Sequence, residues 1–305
     1  MAVFRFQKFS VLNDRAAMKV NTDGVLLGAL MTLGQDQPHG AYPIQDDDRT
    51  QNEGMAQNNG RMHSDAGELS EGSVRKNILK LLDIGTGTGT IALMAAQRLS
   101  EYGISFQIDA IDIDTGSAEE AGLNFAASPW KEHLRAFHTS LARFGARERA
   151  GKETVEETRE RAVERTGERA GQLYDHIFSN PPFFTETLHS PDKRKAATRH
   201  SDSLPLEEIT AYASSHLEPD GRLSLILPFE QIASATRIAA ESNLNLCRIV
   251  EIHSSDRKPP YRAELEFSPR KAEDGVLKDR LTINSKGEYT HEYLSLISPY
   301  LLLGR

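Results

Sequence analysis

One cysteine, Cys247, stands in 305 residues. An intramolecular disulfide is therefore excluded, and the chain suits a reducing compartment. The opening residues Met1-Ala2-Val3-Phe4-Arg5 lack the apolar run of a secretory signal. No stretch approaches the roughly 20 apolar residues of a membrane span, so we expect a soluble, cytoplasmic protein. Basic residues are also short: 36 Lys and Arg stand against 44 Asp and Glu, a formal charge of −8. That balance argues against a general nucleic-acid coat, because phosphate binding needs cations. The shortage is uneven. Residues 35–73 hold eight acids and two bases, a net of −6, which leaves only −2 for the rest of the chain. Residues 1–20 and 190–202 each carry four bases, against one and two acids. His133, His138, His176, His189 and His291 show no metal-ligand spacing, so no metal is expected. No internal repeat is visible.

What is present alternates between strand-like and helix-like runs. Asn21-Thr22-Asp23-Gly24 offers good helix N-caps before an apolar run; the alternative is that Thr22 and Asp23 face a polar ligand. Residues 35–73 are polar and nearly devoid of large apolar side chains, which reads as a flexible insertion. Strands are expected at Ile78–Ile84, Phe106–Ile113, His133–Leu141, Tyr174–Phe178, Gly221–Leu227, Leu246–Ile252 and Ala263–Phe267. Helices are expected at Thr90–Leu99, Thr115–Ala127, Leu206–Leu217 and Phe229–Glu241. The order implies an α/β fold: a mostly parallel, seven-stranded sheet with an antiparallel last strand and helices on both faces. Residues 145–171 carry seven charges of each sign and no apolar stripe, which reads as a second, exposed excursion. The whole chain is then one domain, 1–305, with two insertions. Cys247 lies in an apolar strand and is expected in the core. Lys258-Pro259-Pro260-Tyr261-Arg262 is read as a turn, with an RNA-contacting loop as the alternative.

Two runs carry chemistry. Asp83-Ile84-Gly85-Thr86-Gly87-Thr88-Gly89 follows the first long strand, where open α/β sheets bind nucleotides and glycine lets a ligand come close to the backbone. The dehydrogenase spacing Gly-x-Gly-x-x-Gly fails, because Thr90 stands where its third glycine is needed; the Gly-Lys-Ser/Thr of a P-loop is absent. The second run is Ser179-Asn180-Pro181-Pro182-Phe183-Phe184. Two prolines fix their own φ and supply no N–H, and the first keeps Asn180 out of the helical region. The strand thus ends in a stiff elbow with one amide and two rings. The Asn180 oxygen and the Pro181 carbonyl can both accept from an NH2 group, and Phe183 can stack on the ring that bears it.

The tight turn with Asp83 before it resembles motif I of S-adenosylmethionine-dependent methyltransferases. In that family the acid ending the second strand, here Asp112, holds the ribose hydroxyls, while Asp114 is read as a helix cap. Asn180-Pro181-Pro182-Phe183 matches the motif for transfer to a planar nitrogen, usually the exocyclic amine of adenine. Lys19 to Gly28, Asp83 to Gly89, Ser179 to Phe184 and Arg199-His200-Ser201-Asp202-Ser203-Leu204 together resemble one family, the bacterial tRNA-1(Val) adenine-37 N6-methyltransferases. The likeness spans the chain outside residues 35–73 and 145–171. It implies a Rossmann-like class I fold, S-adenosylmethionine as cofactor and tRNA as partner. It implies a cofactor site at Thr22, Asp23, Asp83, Gly85, Gly87, Gly89 and Asp112, with residues 19–28 closing over it. Many relatives carry an acid after the third strand; Ser140 is the counterpart here. Asn180, Pro181, Pro182 and Phe183 would be catalytic. Phe184, Lys193, Arg194, Lys195, Arg199 and His200 would meet the RNA. A protein glutamine or a DNA adenine is the alternative substrate, and a non-catalytic RNA-binding relative the alternative role.

Overall fold

The run Leu79-Lys80-Leu81-Leu82-Asp83-Ile84 supplies apolar side chains to both faces, the mark of a strand covered on two sides. In the computed structural model, which describes residues 2–33, 78–146, 172–182 and 204–302, it lies inside a nine-stranded sheet. A small hairpin precedes it, β1 (Val3–Arg5) with β2 (Ser10–Leu12), followed by α1 (Thr22–Leu30). Then come β3 (Leu79–Ile84), α2 (Thr90–Glu101), β4 (Phe106–Asp112), α3 (Thr115–Ala126), β5 (Leu134–His138) and β6 (Tyr174–Ser179). The remainder is α4 (Leu206–His216), β7 (Leu217–Pro228), α5 (Ile232–Glu241), β8 (Asn245–Ser255), β9 (Pro260–Ser268), β10 (Leu277–Ser285), β11 (Glu288–Tyr289) and α6 (His291–Ile297). The spatial order is β11-β10-β8-β9-β7-β6-β3-β4-β5. β9 runs antiparallel between β7 and β8, while β5, β4, β3, β6 and β7 are parallel.

The expected class holds, and the strand count is corrected. Two strands lie beyond β8: β10 pairs with it in parallel, and β11 turns back on β10. The antiparallel strand is therefore not the last. β10 escaped the sequence reading because only Leu281 and Ile283 of its nine residues are buried, so its apolar signal is weak. Residues 35–73, and 145–171 apart from 145 and 146, lie outside the described residues.

The two faces pack separately. α1, α2, α3 and α6 cover one, against Leu81, Ile108, Phe178, Ile226, Val250 and Leu281. α4 and α5 cover the other, against Leu82, Ile84, Ile177, Leu225, Leu265 and Phe267. The α1 face contains a buried charge network. Glu264 and Glu266 of β9 both point into it and are fully covered. Arg248 of β8 meets Glu264 at 3.3 Å, Glu266 at 3.5 Å and Asp279 at 3.2 Å; Arg222 meets Glu266 at 3.1 Å. Burial, with the adjacent Glu266, pushes Glu264 well above the usual carboxylate range, against the pull of Arg248.

This network also receives the end of α1. A helix terminus leaves carbonyls without partners; Arg98 donates to the Gly28 and Met31 carbonyls, at 3.1 and 2.8 Å. Arg248 donates to that of Leu30 at 2.9 Å, and Glu266 accepts from Thr32 N–H at 2.6 Å. At the other end Asn21 caps the helix, accepting from Gly24 N–H at 2.8 Å. Removing one member of a buried ionic set leaves the others uncompensated. Arg248→Met is expected to lower unfolding free energy by about 3 kcal/mol, read as a drop in urea midpoint.

Candidate active site

Parallel pairing brings the two motifs together. Ile84 at the end of β3 pairs with Ile111 on one side and with Ser179 on the other. The next residue on each chain is Gly85, Asp112 and Asn180. Adjacent strands lie about 4.8 Å apart, so three residues spread over 95 positions of sequence share the carboxyl edge of the sheet. Ser179 Oγ donates to the Ile84 carbonyl at 2.7 Å, which ties the two strand ends.

Gly85, Gly87 and Gly89 have φ of 73°, 55° and 80°, a region that side chains other than glycine enter at a cost. At Gly85 the space that a Cβ would fill has no atom within 4 Å, so a ligand can approach the backbone there. Gly89 serves packing: its missing Cβ would lie 2.5 Å from the Phe125 ring. Asp112 accepts Gly87 N–H on Oδ2 and Asp114 N–H on Oδ1, both at 2.9 Å. Each oxygen keeps a second lone pair for a hydroxyl donor. Burial pushes its pKa up, against the pull of those two N–H groups. Ile113 beside it is 57% exposed, an apolar surface next to the acid. As expected, Asp114 caps α3, accepting from Ser117 N–H at 2.7 Å.

Asn180 is buried, and its Oδ1 has no hydrogen-bond partner among the described residues. An unpaired buried carbonyl oxygen is costly and asks for a donor. Its Nδ2 faces the Met18 sulfur at 3.6 Å. Met18 also bounds the glycine turn: its carbonyl lies 3.3 Å from where a Gly87 Cβ would stand. Pro181 is buried and Pro182 exposed.

No family model matches the chain. It is 31% identical to the tRNA1(Val) (adenine(37)-N6)-methyltransferase of Flavobacterium johnsoniae, over 98% of this chain and 99% of that protein. It is 32% identical to the protein of the same name from Porphyromonas gingivalis, over 98% and 94%. The chain belongs to the tRNA1(Val) (adenine(37)-N6)-methyltransferase family. Among solved structures, a predicted O-methyltransferase from Agrobacterium tumefaciens shares 16% identity over 74% of this chain and 92% of that one, with a TM-score of 0.48.

As a member of this family the protein is an S-adenosylmethionine-dependent methyltransferase, and the carboxyl edge of the sheet carries acceptors that the hydroxyls of such a ligand could use. Open backbone at Gly85 and the acceptor pair of Asp112 suit a nucleoside, and Ile113 offers its ring an apolar neighbour. Asp83 sits behind the turn, fully covered, accepting from Thr86 Oγ1 at 2.7 Å. Burial pushes it from 3.8 up to about 7, against the Thr86 hydroxyl. Between those values the folded state binds more protons than the unfolded one, so this group's stabilisation is lost as pH rises from about 4 to 7. Asp83→Asn removes that loss. Its melting temperature relative to the wild type is expected to rise between pH 5 and pH 8, as measured by calorimetry across that range.

The remaining predicted residues divide. Thr22 is exposed in the first turn of α1. Asp23 is committed to Arg262 of β9, Nε to Oδ2 at 2.9 Å. Ser140 Oγ accepts from Arg143 N–H at 3.3 Å and so starts the helical residues 141–146. Phe183, Phe184, Lys193, Arg194, Lys195, Arg199 and His200 lie outside the described residues. Of the Lys258–Arg262 run, Pro260 to Arg262 already belong to β9, with the turn before them. Cys247 is half-buried rather than in the core; burial pushes its thiol up to about 11. Sequence reasoning missed Met18 and Ile113. Only Ile113 had a signal, an apolar residue between two acids.

Proposed function

We propose that this enzyme methylates N6 of an adenine in tRNA, at position 37 of tRNA1(Val), in the cytoplasm, and that the chain is one methyltransferase domain. The observation that carries the reading is the side-by-side placement of Gly85, Asp112 and the unpaired Asn180 Oδ1 at one sheet edge. Gly85, Gly87 and Asp112 hold the cofactor, with Asp83 and Gly89 shaping the turn and Thr22, Asp23 and Ser140 at its margins. Bound there, S-adenosylmethionine supplies a methyl group on a positively charged sulfur.

Asn180 Oδ1 and the Pro181 carbonyl accept the two hydrogens of the target amine. An aryl amine is a poor nucleophile because its lone pair is delocalised into the ring. Two acceptors on its hydrogens favour a pyramidal nitrogen and aim the lone pair. Neither group is a base, so the residues act by position and electrostatics. Pro181 and Pro182 keep the elbow stiff. Phe183 provides a stacking face for a base drawn out of its loop. Phe184, Lys193, Arg194, Lys195, Arg199 and His200 are the proposed RNA contacts.

The test is incubation with methyl-labelled cofactor and tRNA from a strain lacking the gene, followed by nucleoside separation. Label in N6-methyladenosine, lost when tRNA1(Val) carries guanosine at position 37, is the expected result. Label in a protein glutamine or in DNA instead would overturn the substrate.

A further inference from the structure

Three buried polar residues of α3, Ser117, Glu120 and Asn124, are spaced three and four apart and therefore lie along one stripe of the helix. All three turn toward the N-terminal segment that joins β2 to α1. One Glu120 oxygen accepts Asp14 N–H at 2.8 Å and Arg15 N–H at 2.9 Å; the other accepts Ala16 N–H at 2.8 Å. Ser117 Oγ accepts Ala17 N–H at 3.2 Å. Asn124 accepts Leu12 N–H at 2.7 Å and donates to the Leu12 carbonyl at 3.1 Å. Its amide also donates to the Thr88 carbonyl at 2.8 Å, inside the glycine turn. The segment closes on itself where Asn13 accepts Val20 N–H at 2.9 Å. It lies so close on α3 that a Cβ at Gly116 would stand 3.1 Å from the Arg15 carbonyl.

The held segment delivers Met18, whose carbonyl meets Gly87 and whose sulfur meets Asn180. We infer that Glu120 is a positioning residue: it clamps residues 14–16 as a strap over the cleft, so that Met18 forms the wall shared by the cofactor turn and the target-amine site. The strap has no regular structure between β2 and α1, so these side-chain bonds stand in for a ladder. Burial alone would raise the Glu120 pKa, but the N–H groups of Arg15, Ala16 and Asp14 outweigh it and bring it below the usual value. The clamp is thus ionised near neutral pH and its bonds are charge-assisted, the stronger kind.

This inference rests on the cofactor lying at the glycine turn, and the experiment separates the two. Affinity for S-adenosylhomocysteine is measured by calorimetry for wild type, Glu120→Gln, Met18→Ala, the double variant and Asp112→Ala. Amide exchange of residues 14–17 is measured without ligand. Glu120→Gln is expected to speed exchange at Asp14, Arg15 and Ala16 at least about a hundredfold and to weaken binding about tenfold, a factor worth ~1.4 kcal/mol. Met18→Ala, at a site 38% exposed and with no such role in holding the fold, weakens binding several-fold while leaving exchange slow. The double variant binds no worse than Glu120→Gln alone, because a released strap no longer delivers Met18. Slow exchange in Glu120→Gln, binding within twofold of wild type, or losses that multiply in the double variant would each overturn the clamp. Unchanged binding in Asp112→Ala would overturn the cofactor site itself, whatever Glu120 does.

Discussion

Asn180→Ala is expected to lower kcat for methyl transfer about 10²- to 10³-fold while leaving the affinity for S-adenosylhomocysteine within a few-fold of wild type. The split follows from geometry. Asn180 leaves β6 beside Gly85, but its oxygen, without a partner among the described residues, is a side-chain atom, whereas the cofactor turn is built from backbone and from Asp112. Removing one acceptor aimed at the reacting group costs what removing one donor of an oxyanion hole costs, about 2.7–4 kcal/mol. Asn180→Asp keeps an acceptor but sets a carboxylate about a strand's width from Asp112's neighbours, and single-turnover rates should fall there too. Cofactor binding lost in parallel with turnover in Asn180→Ala would assign the residue to folding or to the cofactor instead of the amine.

Asp112→Ala should show the reverse pattern: affinity for S-adenosylhomocysteine falls at least about a hundredfold, while binding of tRNA changes little. Each hydrogen bond from a hydroxyl to a charged carboxylate contributes about 1.5–3 kcal/mol, and a ribose offers two. A further loss comes from within the protein, because Asp112 Oδ2 also holds Gly87 N–H and so keeps the turn open to its ligand. Calorimetry with the cofactor product and filter binding with tRNA measure the two arms. Asp112→Asn separates the contributions, since it keeps an oxygen for one N–H but sets an amide against the other.

The motifs at Gly85 and Asn180 were legible because each closes a strand with its own punctuation, glycines in one case and prolines in the other. Parallel pairing then places strand ends side by side, so two local signals become one site without further information. The acids at 264 and 266 show where that economy stops. Ala263-Glu264-Leu265-Glu266-Phe267 alternates like a strand with one wet face, yet both glutamates are covered by α1. Their partners, Arg248 and Arg222 and the N–H of Thr32, come from two other strands and from a segment 234 residues earlier. No window of sequence holds that relation. Glu120 hides for the same reason, since the amides it receives lie 104 to 106 residues before it. The count of strands failed at β10 because only Leu281 and Ile283 of its nine residues are buried, too few to mark a strand in sequence.

The strap is made early and seated late. Its hairpin is joined to the far end of the chain: Phe6 bridges to Leu301, and Gln7 N–H donates to the Tyr300 carbonyl at 2.7 Å. On a ribosome adding about 5–20 residues per second, residues 2 to 20 wait roughly 5–20 s for α3 and roughly 15–60 s for residue 301. Until α3 is made the glycine turn has no wall, and until residue 301 is made Phe6, buried in the finished protein, lacks the residue it bridges to. A chaperone that shields an apolar N-terminal segment would meet this chain during that window.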